Sequence, residues 1–161
     1  VSSSLTKLVE RRIAIQFERL KREAPAIGRS AGAILTRAVK DKVREADAIA
    51  SGRFLNSIRT RVEIRQTRQQ LSEIRLIVGS DVFYSRFVIG GRRPGRMPPV
   101  AAIQRWIVLK GLLHLNAFLV ARAIGRRGIR ARNFYDRGWR ASRDRIEAAV
   151  RRRLIDALVL P

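Results

Sequence analysis

The chain contains no cysteine, a single histidine, one methionine and only thirteen carboxylates. Without cysteine there is no disulfide framework, no thiolate nucleophile and no thiolate-held metal. This fits assembly in a reducing cytoplasm. Aromatic residues make up 6% of the 161 residues and are hardly interleaved with the arginines. A platform for stacking single-stranded bases is therefore poorly supplied. The apolar runs are short pieces such as Trp106 to Leu109 and Ala117 to Ala121, far below the roughly 18 residues a membrane span needs. The first residues, VSSSLTKLVERR, carry no apolar signal-peptide stretch. A soluble protein with no membrane partner, not secreted by that route, is expected.

What the chain has in excess is positive charge. Thirty-five Lys and Arg face thirteen Asp and Glu, a formal +22, and most of the cations are arginines. Arginine keeps its charge at any physiological pH and meets carboxylate or phosphate with a planar fork. Such a chain attracts polyanions, either nucleic acid or acidic partner subunits. The hydrophobic fraction is an ordinary 46%, so a packed core is expected. The length suits one compact domain.

Apolar spacing predicts the elements. Leu5, Leu8, Val9, Ile13, Phe17 and Leu20 recur at three- and four-residue intervals, a helix over about 5–23. Pro25 is expected to end it, because the residue before a proline avoids helical geometry. A second helix is expected over about 30–46, with Ala31, Ile34, Leu35, Ala38, Val39 and Val43 as its stripe. Ser51-Gly52 breaks the pattern. From Ile58 the period becomes two: Ile58, Val62 and Ile64 alternate with Arg59, Arg61, Glu63 and Arg65. Leu76 and Val78 resume the alternation beyond a polar break at 67–70, as in an antiparallel hairpin covered on one face.

Beyond Gly79, residues 83–88 suggest one or two helical turns. Gly90-Gly91 and Pro94-Gly95 mark a loop reaching Pro98-Pro99. Helices are expected over about 100–110, closed by Gly111, and 116–127, ended by Gly128. Residues 129–133 read as extended. A last helix over about 134–158 carries Trp139, Ile146, Val150, Leu154 and Leu158. The fold class is α+β: a small antiparallel β-sheet packed against helices, with long N- and C-terminal helices. The domain expected is a single one over 1–161, with an N-terminal helical arm (about 1–47) and a C-terminal helix (about 134–160).

Residues for catalysis are sparse. His114 stands alone between two leucines, and no HExxH, GxSxG or P-loop pattern occurs. Asp41, Glu45 and Asp47, and Asp136, Asp144 and Glu147, are interleaved with Lys and Arg as surface ion pairs are. No enzyme activity, metal or cofactor is expected. Arg92, Arg93 and Arg96 in the glycine-rich loop could face an acidic partner surface or a phosphate backbone. Arg126, Arg127, Arg130 and Arg132 form a second basic cluster before the last helix, whose own arginines fall on several faces. No helix-turn-helix, zinc-finger or RNA-recognition signature accompanies them, so contact with DNA would be to phosphates and indifferent to sequence.

Four segments in order carry a likeness. They are Ser51-Gly52-Arg53-Phe54-Leu55-Asn56-Ser57-Ile58; Leu76-Ile77-Val78-Gly79-Ser80; Tyr84-Ser85-Arg86-Phe87-Val88-Ile89-Gly90; and Arg96-Met97-Pro98-Pro99 through Ile103 and Trp106, then Ala117 to Ile124, Gly128 and Phe134. Over about 45–160 the chain resembles the tail-component family of tailed bacteriophages: tail-completion, tail-terminator and head–tail joining neck proteins. The glutamate usual before that family's glycine is absent, with Ile89 nearest to it. The resemblance implies a structural virion protein, assembled in the host cytoplasm, that forms a homo-oligomeric ring. It would join neck, portal-adaptor or tail-tube proteins around a DNA channel, with non-specific contact to genomic DNA. Tyr84, Phe87, Pro98, Pro99, Trp106, Phe118 and Phe134 would be its scaffold. The alternative from charge alone is a basic, sequence-independent nucleic-acid-binding protein.

Overall fold

The structure, a computed structural model, describes residues 2–48, 51–67 and 70–159. Its elements are α1 (Ser2–Glu45), α2 (Arg53–Ser57), β1 (Arg59–Thr67), β2 (Gln70–Gly79), α3 (Ser85–Gly90), α4 (Val100–Leu109), α5 (Ala117–Arg127) and α6 (Phe134–Val159). The protein is α+β, mostly helical, with a two-stranded antiparallel sheet and long first and last helices. The chain forms two compact units: 1–38 with 59–79 and 139–161, and 39–58 with 80–138.

The two N-terminal helices expected from sequence are one. Pro25 lies inside α1, which runs unbroken through it. A proline in a helix interior removes one backbone bond and costs on the order of 3 kcal/mol. Packing from Ala24 onward offsets that loss here. Ala24, Ile27, Ala31 and Leu35 are all nearly fully buried, at the spacing of one helical face. Before the proline, Ile13, Ile15 and Phe17 are exposed; the side chains of Leu5, Leu8 and Val9 lie outside the described residues.

In the first unit α1 lies on the apolar face of the hairpin. A Cβ on Gly28 would collide with the Val62 side chain, and one on Gly32 would sit 3.3 Å from Thr60. The Thr36 and Thr60 hydroxyls share a hydrogen bond of 2.8 Å across this contact. The hairpin register pairs Arg59 with Gly79, Val62 with Leu76 and Ile64 with Ile74. On the outer face Glu63 stands opposite Arg75 and Arg65 opposite Glu73. The expected break between the strands includes residues 68 and 69, which lie outside the described residues.

In the second unit the buried side chains are Val39, Val43, Phe54, Ile58, Ile107, Ala117, Ala121 and Phe134. The short helix α2, which no separate pattern in the residues announces, carries Phe54 inward. The α1 end is held by Lys110, whose Nζ lies 2.7 Å from Asp47 Oδ1 and donates to the Asp47 carbonyl at 2.8 Å. The later helices begin and end where their punctuation stands. Asn116 caps α5 by accepting from the amides of Phe118 and Leu119, and Gly111 and Gly128 take positive φ after α4 and α5.

The stripe expected on α6 is displaced. Phe134, Gly138, Ser142 and Ile146 are its buried positions, while Trp139, Leu154 and Leu158 are exposed. Gly138 marks where the α1 backbone at Val39 comes too close for a side chain.

Candidate interaction surfaces

Of the four segments singled out by resemblance, the first two touch each other, and the third and fourth are tied to the start of α6 and the end of α5. Ser57, in the first, donates to the Phe54 carbonyl at 2.7 Å and lies 2.6 Å from Ser80, in the second. A hydroxyl has one proton to give, so Ser80 is the donor to Ser57. In the third, the Ile89 carbonyl accepts from the amides of Arg132 and Asn133 at 2.9 and 3.1 Å. That contact seats the start of α6, where Phe134 is wholly buried. In the fourth, the stretch before Pro98 is anchored to α5, because the Gly95 amide donates to the Gly125 carbonyl at 2.8 Å.

The glycine-rich loop is therefore a latched strap. Arg92 and Ile129 exchange both backbone hydrogen bonds, at 2.8 and 2.7 Å, in an isolated antiparallel bridge. The Arg92 guanidinium turns back to the Arg96 carbonyl, which commits it to the loop itself. Arg93 and Arg96 are exposed. The three arginines are thus brought together, with two presented outward.

The second basic cluster is exposed throughout: Arg126 and Arg127 close α5, and Arg130 and Arg132 follow it. Cations at a helix C-terminus are favoured by its dipole. Arg132 also donates to the Ala46 carbonyl at 3.3 Å. An open groove of about 390 Å³ runs along Leu119, Arg122, Ala123, Arg126 and Arg127.

The aromatic scaffold residues divide. Phe134 is in the core, whereas Trp106 is 38% and Phe118 50% exposed. Phe87 and Pro98 are half-buried, Pro99 and Tyr84 exposed. Beside Tyr84, the Arg86 guanidinium lies 4.4 Å from the Phe83 ring centre and 4.8 Å from that of Phe87. Between residues 106 and 119, across the α4–α5 corner, Trp106, Val108, Leu109, Leu113, Phe118 and Leu119 are all exposed. Only Ile107, Ala117 and Ala121 of these two helices are buried.

Several of the carboxylates lie in separate ion pairs. Asp41 lies 2.7 Å from Arg44, Glu45 2.8 Å from Lys42, and Glu147 3.6 Å from Arg151. Among the described residues no three His, Cys, Asp or Glu side chains gather as a metal site would require. His114 is exposed in the α4–α5 turn.

One surface was not foreseen. Arg19, Arg22 and Glu23 of α1 and Arg152, Arg153, Asp156 and Ala157 of α6 line an open groove of about 660 Å³. Its halves are more than a hundred residues apart in the chain, and no local spacing announces such a meeting. No family model, curated protein or solved structure matches this chain.

Proposed function

We propose that the chain is a structural subunit of a tailed-phage neck or tail, which binds further copies of itself in a ring and carries out no chemical reaction. The observation that carries this reading is the apolar α4–α5 corner. Six large apolar side chains between residues 106 and 119 stand exposed. A monomeric soluble protein seldom leaves so much apolar surface to water, and contacts between subunits cover such surfaces. The corner belongs to the segment in which the likeness to tail components is most extensive. Exposed edges of a two-stranded sheet add a second template for pairing with a neighbour. A closed ring of one subunit type needs head-to-tail contacts between two different surfaces. The test is the mass of the purified protein in solution together with electron microscopy of the particles. Discrete closed rings are expected; a strictly monomeric protein at high concentration would end this reading.

A second reading, sequence-indifferent binding of nucleic acid, is favoured by the groove between α1 and α6 and by the +22 charge. It predicts duplex binding that weakens steeply with salt.

A further inference from the structure

We propose that the α1–α6 groove is a seat for the phosphate backbone of double-stranded nucleic acid. The inference rests on the second reading above and gives it a location. Four arginines and two carboxylates line the groove, an excess of two positive charges from two different helices. Arg152 and Arg153 are exposed. Arg22 uses its Nε on the Glu18 carbonyl of its own helix, at 3.4 Å.

The nearest carboxylate outside the lining on α1 is Glu18. Its oxygen lies 2.7 Å from Lys21 Nζ, and that hydrogen bond, followed by the lysine's charge and with a smaller share from Arg22, keeps its carboxyl below the ordinary range. Its direct ion-pair partner is thus a lysine outside the lining.

The chemistry of the lining selects the ligand class. Among the described residues it contains no aromatic side chain and Ala157 as its one apolar residue, so they offer no face on which an unpaired base could stack. Guanidinium forks fit phosphate oxygens bidentately. Arg19 and Arg22, three apart on α1, and the neighbouring Arg152 and Arg153 on α6 put positive charge on both walls. A rigid rod with regularly spaced phosphates meets both walls together, and sequence is not read because nothing reaches a base edge.

The test uses the full chain and a fluorescently labelled 30-base-pair duplex, titrated by anisotropy across a range of salt. The double variant Arg152→Ser/Arg153→Ser is compared with Arg126→Ser/Arg127→Ser, which removes the same charge from the exposed end of α5. The groove variant should weaken binding on the order of tenfold and lower the slope of log affinity against log salt by about two. The α5 variant should do neither. All four arginines are exposed, and unchanged circular dichroism and melting would show that the fold is kept. Equal losses in the two variants would overturn the groove and leave general attraction by net charge. Absence of duplex binding by the unaltered chain at low salt would remove the second reading itself, and the groove with it. Displacement of duplex by polyglutamate at matched charge concentration would overturn the ligand class in favour of an acidic protein surface.

Discussion

Gly138 of α6 lies directly against the backbone of Val39 in α1: a Cβ placed on it would stand 2.8 Å from the Val39 Cα and 2.9 Å from its nitrogen. Backbone cannot give way as the tip of a flexible side chain can. Gly138→Ala should therefore destabilise the protein by about 1–3 kcal/mol, seen as a lower denaturant midpoint at unchanged slope. Gly90→Ala meets nothing within 4 Å and should be neutral or slightly stabilising. If both variants melted alike, the close approach would be refuted.

The two aromatic positions Phe134 and Trp106 should separate folding from association. Phe134 is wholly buried, so Phe134→Ala should cost about 3–5 kcal/mol. Trp106 is 38% exposed, so Trp106→Ala should cost clearly less in unfolding measurements. Trp106→Glu combined with Phe118→Glu should leave a folded chain that no longer assembles, read by sedimentation and circular dichroism side by side. Intact rings from that double variant would show that the α4–α5 corner is not the contact.

Loss of the Asn116 cap should be felt locally. Its side chain accepts from two amides, at 2.9 and 3.2 Å. Asn116→Ala should cost about 1 kcal/mol and Asn116→Ser much less, since serine caps nearly as well. Equal melting of the two variants would contradict the capping role.

Alkaline pH supplies a further check. Burial raises the pKa of the Tyr135 phenol above its ordinary value. In the unfolded chain the phenol ionises near about pH 10; in the folded chain it holds its proton to higher pH. The associated stability is complete below the unfolded value and is lost as pH rises through the folded one. Tyr135→Phe should remove this part of the alkaline loss, and an unaltered stability profile from pH 8 to 12 in that variant would count against it.

Much of this architecture could be read from residue order. Asn116, Gly111 and Gly128 act within a few residues of where they stand, so their helices begin and end as the punctuation indicates. The hairpin was equally plain, because a period of two over Ile58 to Arg65 has few other physical meanings. Pro25 misled because its local cost is outweighed by distant packing of Ala24, Ile27, Ala31 and Leu35. On α6 size is a poor guide: Ile146 is buried as its spacing suggests, but Gly138 is buried where a helix backbone passes and Trp139 is exposed. Of the surfaces, the loop arginines and the basic cluster were legible as runs of like residues. The α1–α6 groove was not, since only the folded chain brings Arg22 near Arg152.

The outer face of the hairpin also decides which of its neighbouring alignments survives. A slip of one residue would turn Val62 and Ile64 to water. A slip of two keeps the faces, and there the charges intervene: from the pairing of Glu63 with Arg75 and Arg65 with Glu73, one direction sets Arg65 against Arg75. The other sets Arg61 against Arg75 and Glu63 against Glu73. Like charges directly opposite are unfavourable. Two ordinary surface pairs thereby proofread the zipper, rejecting the misalignments that hydrophobicity alone would let pass.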